Sequence, residues 1–368
     1  MQNPIKKVKG KLEEKIDNIR RSSADFFALD GREKARRIKD FVLDKAMFII
    51  IIAAIIIIAI MRPRFVSAAS IINIISLTAA KLPIALGIGG AIVLSGTDIS
   101  AGRAVGLTAA ITASLLQSTG YPAKIFPSLP TLPIPLVIPI ILAVGALIGL
   151  LNGFFVARFK LHPFIVTLST QLIIFGGILL FLQIGDNGGQ TLSGLSPQYI
   201  SFISGPLFHI SGIPVPKYVL YSVIVTIIMW VVWNKTVFGK NMFAVGSNPE
   251  AANVSGVNVA GTIMLVFTLA GVLYGITGFI EAARIGSNSA STGLNYELDA
   301  IAACVIGGVS FVGGIGKISG VILGVVLLRI IFVGLTFLGI DSNMQYIIKG
   351  LIILVACAID MRKYLVRK

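Results

Sequence analysis

Long apolar runs set the first constraint on this chain: Ala46 to Met61, Leu136 to Val156 and Gly320 to Phe337. A helix rises about 1.5 Å per residue, and runs of this length suit the crossing of a bilayer whose hydrocarbon is about 30 Å thick. With 55% hydrophobic and 13% charged residues, the 368-residue chain lies far from the composition of ordinary soluble domains. The short alternating segments of a membrane β-barrel are absent. The expected fold is an all-α integral membrane protein.

Hydropathy places spans near 46–62, 66–96, 101–118, 134–157, 163–184, 217–234, 260–282, 297–313, 317–338 and 343–361, about ten transmembrane helices. Segment 66–96 is too long for one straight crossing and contains Lys81 and Pro83, so it is expected to be a broken helix. An even number of crossings puts both termini on one side. Much of the net charge of +15 lies in a basic arm, residues 1–45, and a basic tail, 362–368, which assigns that side to the cytoplasm. Arg158, Lys160, Lys235 and Lys240 then fall inside and the 186–216 loop outside. The charge reads as a topology signal and not as a nucleic-acid surface. The arm lacks the apolar core of a cleavable signal peptide, so the first span is expected to remain. Ile38, Phe41, Val42 and Lys45 have the spacing of an interfacial helix. The transmembrane domain is thus 46–361.

Enzyme chemistry finds no support. His162 and His209 fall on opposite expected sides, and no metal-protease, paired-carboxylate or nucleophile-elbow pattern occurs, so neither catalytic nor metal-binding residues are expected. GGIGKIS, Gly313 to Ser319, lacks the spacing of a phosphate-binding loop, and GGQ at 188–190 falls in an outside loop. Cys304 and Cys357 sit in apolar runs and read as buried thiols. IGGAIVLSG, Ile88 to Gly96, echoes IGGVSFVGG, Ile306 to Gly314, which is either a trace of duplication or chance likeness between glycine-rich helices.

Ionisable groups are costly inside a membrane and mark partners or pathways. The candidates are Lys81, Thr97, Asp98, Ser100, Arg103, Asn152, Gln171, Glu281, Arg284, Glu297, Asp299, Arg329, Asn343, Gln345 and Lys349. Asp98 also reads as a helix N-cap, Glu281 and Arg284 as an i, i+3 pair, and Asp299 as an acid favoured in a first helical turn.

One polar stretch, FAVGSNPEAANVSGV, Phe243 to Val257, interrupts the apolar pattern. Ser247 or Asn248 can cap a helix, Pro249 fits its first turn, Glu250 suits the positive end of its dipole and Gly256 can end it. A short, rigid cytoplasmic helix is expected between two spans, either as a docking element or as a well-capped connector.

EAANVSG, Glu250 to Gly256, resembles the loop by which permease subunits of bacterial ABC importers dock on their ATPases. SGTDISAGRAVGLTAA, HPFIVTLSTQ, WNKTVFGKNMFAVGSNPEAANVSGVNV, YELDAIAACVIGGVSF and QYIIKGLIIL are similar to the monosaccharide permeases of the ribose, galactose and xylose branch. The likeness runs from Met61 to Asp360 and is nearest to galactose/methyl-galactoside permeases. The long basic arm departs from it.

The resemblance implies a homodimer, an ATPase subunit with two nucleotide-binding halves that alone binds ATP and magnesium, a periplasmic or lipid-anchored sugar-binding protein, and the bacterial inner membrane. It implies a coupling helix at 246–256, with Gly246, Asn248, Pro249, Glu250, Ala251, Ala252 and Gly256 as contacts. The translocation pathway would draw on Thr97, Asp98, Ser100, Arg103, Asn152, Gln171, Glu281, Glu297, Asp299, Asn343 and Gln345. Arg62, Arg64, Lys124 and Arg284 would either meet acidic patches of the binding protein or anchor lipid headgroups. Import of galactose, methyl galactoside or glucose by alternating access is the leading expectation. A ribose, xylose or nucleoside permease, an ion-coupled secondary transporter using Asp98, Glu281 or Asp299, and a passive channel are the alternatives.

Overall fold

The computed structural model describes residues 55–365, with positions 30, 31, 33, 52 and 53 before them. The expected interfacial helix of the arm, most of the first span and the end of the basic tail lie outside the described residues. Contacts divide the chain into units 1–54 and 55–368, and the second unit carries the features that follow.

After helical residues 55–61 and a 3-10 turn at Pro63–Val66, the chain forms α1 (Ala68–Val93), α2 (Ala101–Leu115), α3 (Ile134–Phe159), α4 (Pro163–Leu182) and α5 (Pro197–Ser204). A hairpin of β1 (Pro206–Ile210) and β2 (Ile213–Pro216) follows. Then come α6 (Lys217–Lys235), α7 (Val237–Ser247), α8 (Pro249–Val254), α9 (Val259–Ile285), α10 (Tyr296–Ile306), α11 (Ile318–Phe337) and α12 (Ser342–Leu365). Among the described residues six helices, α1, α3, α4, α6, α9 and α11, are long and apolar enough to cross a membrane. Among the described residues the named elements are helices apart from this hairpin, which lies in the loop expected outside.

Helices α1 and α9 form the centre: 72% and 61% of their apolar windows are buried, against 28% for α3, α4 and α6. The reason is visible on α3, where Gly145, Gly149 and Gly153 recur one turn apart and face α9. A methyl group on Gly149 would strike the Phe267 carbonyl, and one on Gly271 the carbonyl of Gly145. Without side chains there, the two backbones approach closely enough for dispersion to hold them, which is how helices associate where lipid is as apolar as leucine.

Segment 66–96 is not broken. Helix α1 runs continuously through Lys81 and Pro83. Proline removes the amide proton that Ala79 O would have accepted, and that carbonyl takes a bond from Ser222 Oγ of α6 at 2.6 Å instead. A neighbouring helix satisfies the carbonyl that proline leaves open, and the helix continues unbroken to Val93.

Two expected spans are also shorter than read. Helix α2 has 15 residues and α10 has 11, lengths of about 22 Å and about 17 Å. The chain before α2 runs as non-helical backbone from Ser95 to Ile99, with Asp98 fully buried. Helix α10 stops at Ile306 because Gly308, at φ +83°, closes a turn in which Gly308 N donates to Val305 O and Val309 N to Cys304 O. Hydropathy counts apolar residues whether or not they are helical, and so it extended this helix to 313.

Candidate functional site

Helix α8 is a single, strongly bracketed element. Asn248 caps it, its Oδ1 accepting from Ala251 N at 2.9 Å, and Pro249 fills the first position. Glu250 lies in the first turn. Gly256, in the left-handed region at φ +83°, ends it, with Gly256 N donating to Asn253 O and Val257 N to Ala252 O. Asn258 caps α9 almost at once, accepting from Gly261 N at 2.8 Å. Buried Ala252 ties the helix to the bundle, while Glu250, Ala251, Asn253 and Val254 are exposed. Val254 is 90% exposed, an apolar side chain presented to a partner or to solvent with nothing of its own chain against it. The helix proper spans 249–254, narrower than the expected 246–256: Gly246 belongs to the last turn of α7. Asn248 cannot continue α7, since its backbone is extended at φ −161° and ψ 103°.

A second cluster surrounds Asp98. Its Oδ1 accepts from Ser100 N at 2.9 Å and from Ser100 Oγ at 2.6 Å, and its Oδ2 from Tyr274 Oη of α9 at 3.1 Å. Ser100 Oγ accepts from Asn152 Nδ2 of α3 at 2.9 Å, and Asn152 Oδ1 from Thr170 Oγ1 of α4 at 2.7 Å. Thr167 Oγ1 accepts from Ile99 N at 3.2 Å and faces Thr97 O at 3.2 Å. Asp98, Ser100, Asn152 and Thr167 are fully buried. The carboxylate folds back on the amide two residues ahead and does not cap α2, whose N-cap position is Ser100. Among the described residues it enters no ion pair.

Ion pairs form two further groups. Glu281 of α9 bridges Lys81 of α1 at 3.1 Å and Arg284 at 2.7 Å, with Tyr296 Oη at 3.4 Å. Lys81 also lies over the ring of Tyr296. Asp299 of α10 bridges Arg329 of α11 at 2.7 Å and Lys349 of α12 at 2.5 Å. Glu281 thereby joins α9 to α1, and Asp299 joins α10 to the two helices that follow it, each buried acid facing two cations.

The remaining candidates are dispersed. Arg103 donates to Ala290 O at 2.9 Å and stacks on Phe175, and buried Glu297 packs against Gly102 in the first turn of α2. Gln171 is half-buried on α4 beside Thr170. Asn343 is exposed and Gln345 half-buried in the first turn of α12, where Gln345 Nε2 donates to Ile340 O at 3.1 Å. Arg62 and Arg64 are exposed. Lys124, expected at a surface, is buried and donates to Leu129 O, and Arg284 is engaged by Glu281. No group of three metal-ligating side chains occurs among the described residues.

The family model described as branched-chain amino acid transport system / permease component matches residues 65–357. The chain belongs to that family. The permease is 43% identical over 329 residues to the galactose/methyl galactoside import permease protein MglC of Haemophilus influenzae, which covers 89% of this chain and 97% of that protein. It is 43% identical over 328 residues to MglC of Escherichia coli K12, with the same coverage of 89% and 97%. The ribose import permease protein RbsC of Bacillus subtilis stands further off, at 34% over 311 residues, 84% of this chain and 90% of that protein. No solved structure matches the chain. The permease is a multi-pass membrane protein.

Sequence reasoning passed over Tyr274, Thr167, Thr170, Ser95 and Val254. Tyr274 had a signal: a phenol in the apolar run LAGVLYGITGF must bury its hydroxyl against a partner, and Asp98 is that partner. The threonines had none, because hydroxyls in spans usually bond their own helix.

Proposed function

We propose that this permease is the membrane subunit of an ATP-driven ABC importer that carries galactose or methyl galactoside into a bacterial cytoplasm by alternating access. The observation that carries the substrate reading is 43% identity, over nearly the full length of both chains, to proteins named for galactose and methyl galactoside import. More distant relatives named for ribose make that sugar the second candidate.

In this reading two copies form the path, about ten helices each, with both termini in the cytoplasm and the chain in the inner membrane. A separate ATPase subunit with two nucleotide-binding halves holds ATP and magnesium, and a sugar-binding protein delivers substrate from outside. Helix α8 is the coupling helix. It is short, capped at both ends and anchored by Ala252, so a push on it is passed on and not absorbed by bending. Glu250 supplies charge and Val254 an apolar contact for a groove in the ATPase. Arg62 and Arg64 are the basic residues best placed to meet a binding protein. The polar groups from Asp98 to Asn152 are bonded to one another, so a sugar path along them requires the helices to separate, which rocking driven by ATP supplies.

The test is co-purification. The tagged permease is extracted in mild detergent beside Glu250→Arg, and uptake of labelled galactose is measured with ribose as competitor. An ATPase subunit retained by the wild type and lost from the variant, with ATP-dependent galactose uptake, is the expected result. Uptake that needs no ATPase and stops when Asp98 is neutralised would instead make the protein an ion-coupled transporter.

A further inference from the structure

The segment joining α1 to α2 is held at its two ends by different parts of the molecule. At one end Ser95 takes φ +59°, a left-handed conformation that costs a serine more than a glycine. Its Oγ lies within donating distance of Val312 O at 2.8 Å and Gly246 O at 3.2 Å. Gly246 precedes the Asn248 cap of α8 by two residues, and Val312 lies in the turn between α10 and α11. The same meeting point is closed by Gly314 N donating to Val93 O at 2.8 Å, and a methyl group on Gly246 would strike that Val93 carbonyl. The C-terminal ends of the two similar strings, 88–96 and 306–314, thus meet at the last turn of α7.

At the other end, three residues on, Asp98 is fixed by Ser100 and Tyr274, and through Ser100 by Asn152 and Thr170. Those bonds reach α9, α3 and α4. The segment between is non-helical: Gly96 N donates to Ala91 O of α1 at 3.0 Å, and Thr167 Oγ1 of α4 accepts from Ile99 N and donates to Thr97 O, so this stretch of chain is tied to α1 and α4 between the two ends.

We propose that Ser95–Ser100 is a transmission segment, in which Ser95 passes displacement of the α7–α8 unit to the Asp98 cluster and so to α2, α3, α4 and α9. This route is separate from the covalent link of α8 to α9, and it rests on the ABC reading above. Ser95 and Asp98 are positioning residues, acting through the helices they join. The left-handed backbone at position 95 sharpens the point: glycine would adopt it more easily, so what serine contributes is its hydroxyl.

The experiment uses the permease reconstituted in vesicles with its ATPase and binding protein. It reads sugar transported per ATP hydrolysed, beside the thermal midpoint of each variant. Ser95→Gly is expected to melt no lower than the wild type, because the backbone strain is relieved, yet to move about threefold to tenfold less sugar per ATP, the worth of one shared hydrogen bond. Ser95→Asn, which tolerates the left-handed region and carries an amide donor, is expected to recover most of the coupling. Unchanged sugar per ATP in Ser95→Gly overturns the proposal, as does a loss of coupling that merely tracks a lowered midpoint, or an asparagine variant no better than glycine. A wild type that moves sugar without ATP would overturn the ABC reading and this one together; a coupled wild type with an indifferent Ser95→Gly would overturn this one alone.

Discussion

Replacing Ser222 by alanine strands the carbonyl of Ala79. In α1 the proton that carbonyl would have accepted is missing at Pro83, and Ser222 Oγ replaces it at 2.6 Å. Ser222 is 1% exposed, so water does not take over. Hydrogen bonds between membrane helices average about 0.6 kcal/mol and reach about 1.7, because a lost partner is usually exchanged for another. An acceptor stranded in the interior costs about 1–3 kcal/mol. Here α1 has no amide to exchange, so the expected cost is about 1.5–2 kcal/mol, at the upper end of the first range and inside the second. Pro83→Ala restores an amide at the right place. In that background Ser222→Ala should cost no more than about 0.5 kcal/mol, a coupling of about 1–1.5 kcal/mol. Thermal unfolding of the four proteins in one detergent at one scan rate reads the cycle, with Ser222→Ala alone melting a few degrees lower and the double variant close to Pro83→Ala. An equal drop in both backgrounds would show that Ser222 acts by packing and that the carbonyl of Ala79 is satisfied some other way.

Three further outcomes follow from the charged and glycine contacts. Glu281→Gln leaves Lys81 without its acid and should destabilise by about 3–5 kcal/mol, while Lys81→Met added to it should recover much of the loss, as thermal unfolding will show. Were Glu281 a proton-coupling group and not a structural one, the single variant would lose transport at unchanged stability. Val254→Asp, on a side chain 90% exposed, should leave the melting temperature within about 1 °C yet weaken retention of the ATPase on co-purification. Gly149→Val should yield little folded protein on size-exclusion chromatography, since its side chain has only the Phe267 backbone to occupy.

Much of the site was legible because helix ends are written locally. Asn248, Pro249, Glu250 and Gly256 act on their own neighbours in the chain, so first turn and stop were legible without tertiary knowledge and the cap was narrowed to Ser247 or Asn248, of which the structure selects Asn248. The i, i+3 pairing of Glu281 with Arg284 belongs to the same class. Lys124 and the partners of Asp98 do not: whether a lysine meets water or the Leu129 carbonyl, and whether an aspartate meets a cation or a tyrosine 176 residues away, is decided by which elements come together.

The same division runs through the fold. Composition and the length of the apolar runs by themselves determined a helical membrane protein, because no other arrangement satisfies the backbone of such a chain in lipid. They also located most of the long helices, since hydropathy is a property of consecutive residues. Tertiary structure alone decided that α1 continues through Pro83, because the bond that makes this possible comes from Ser222 in a helix 143 positions away. It also decided where α2 and α10 stop, and which polar groups pair, because a buried hydrogen bond or ion pair is a statement about two places in space. A sequence specifies both partners of such a bond, but only packing brings them within 3 Å of each other.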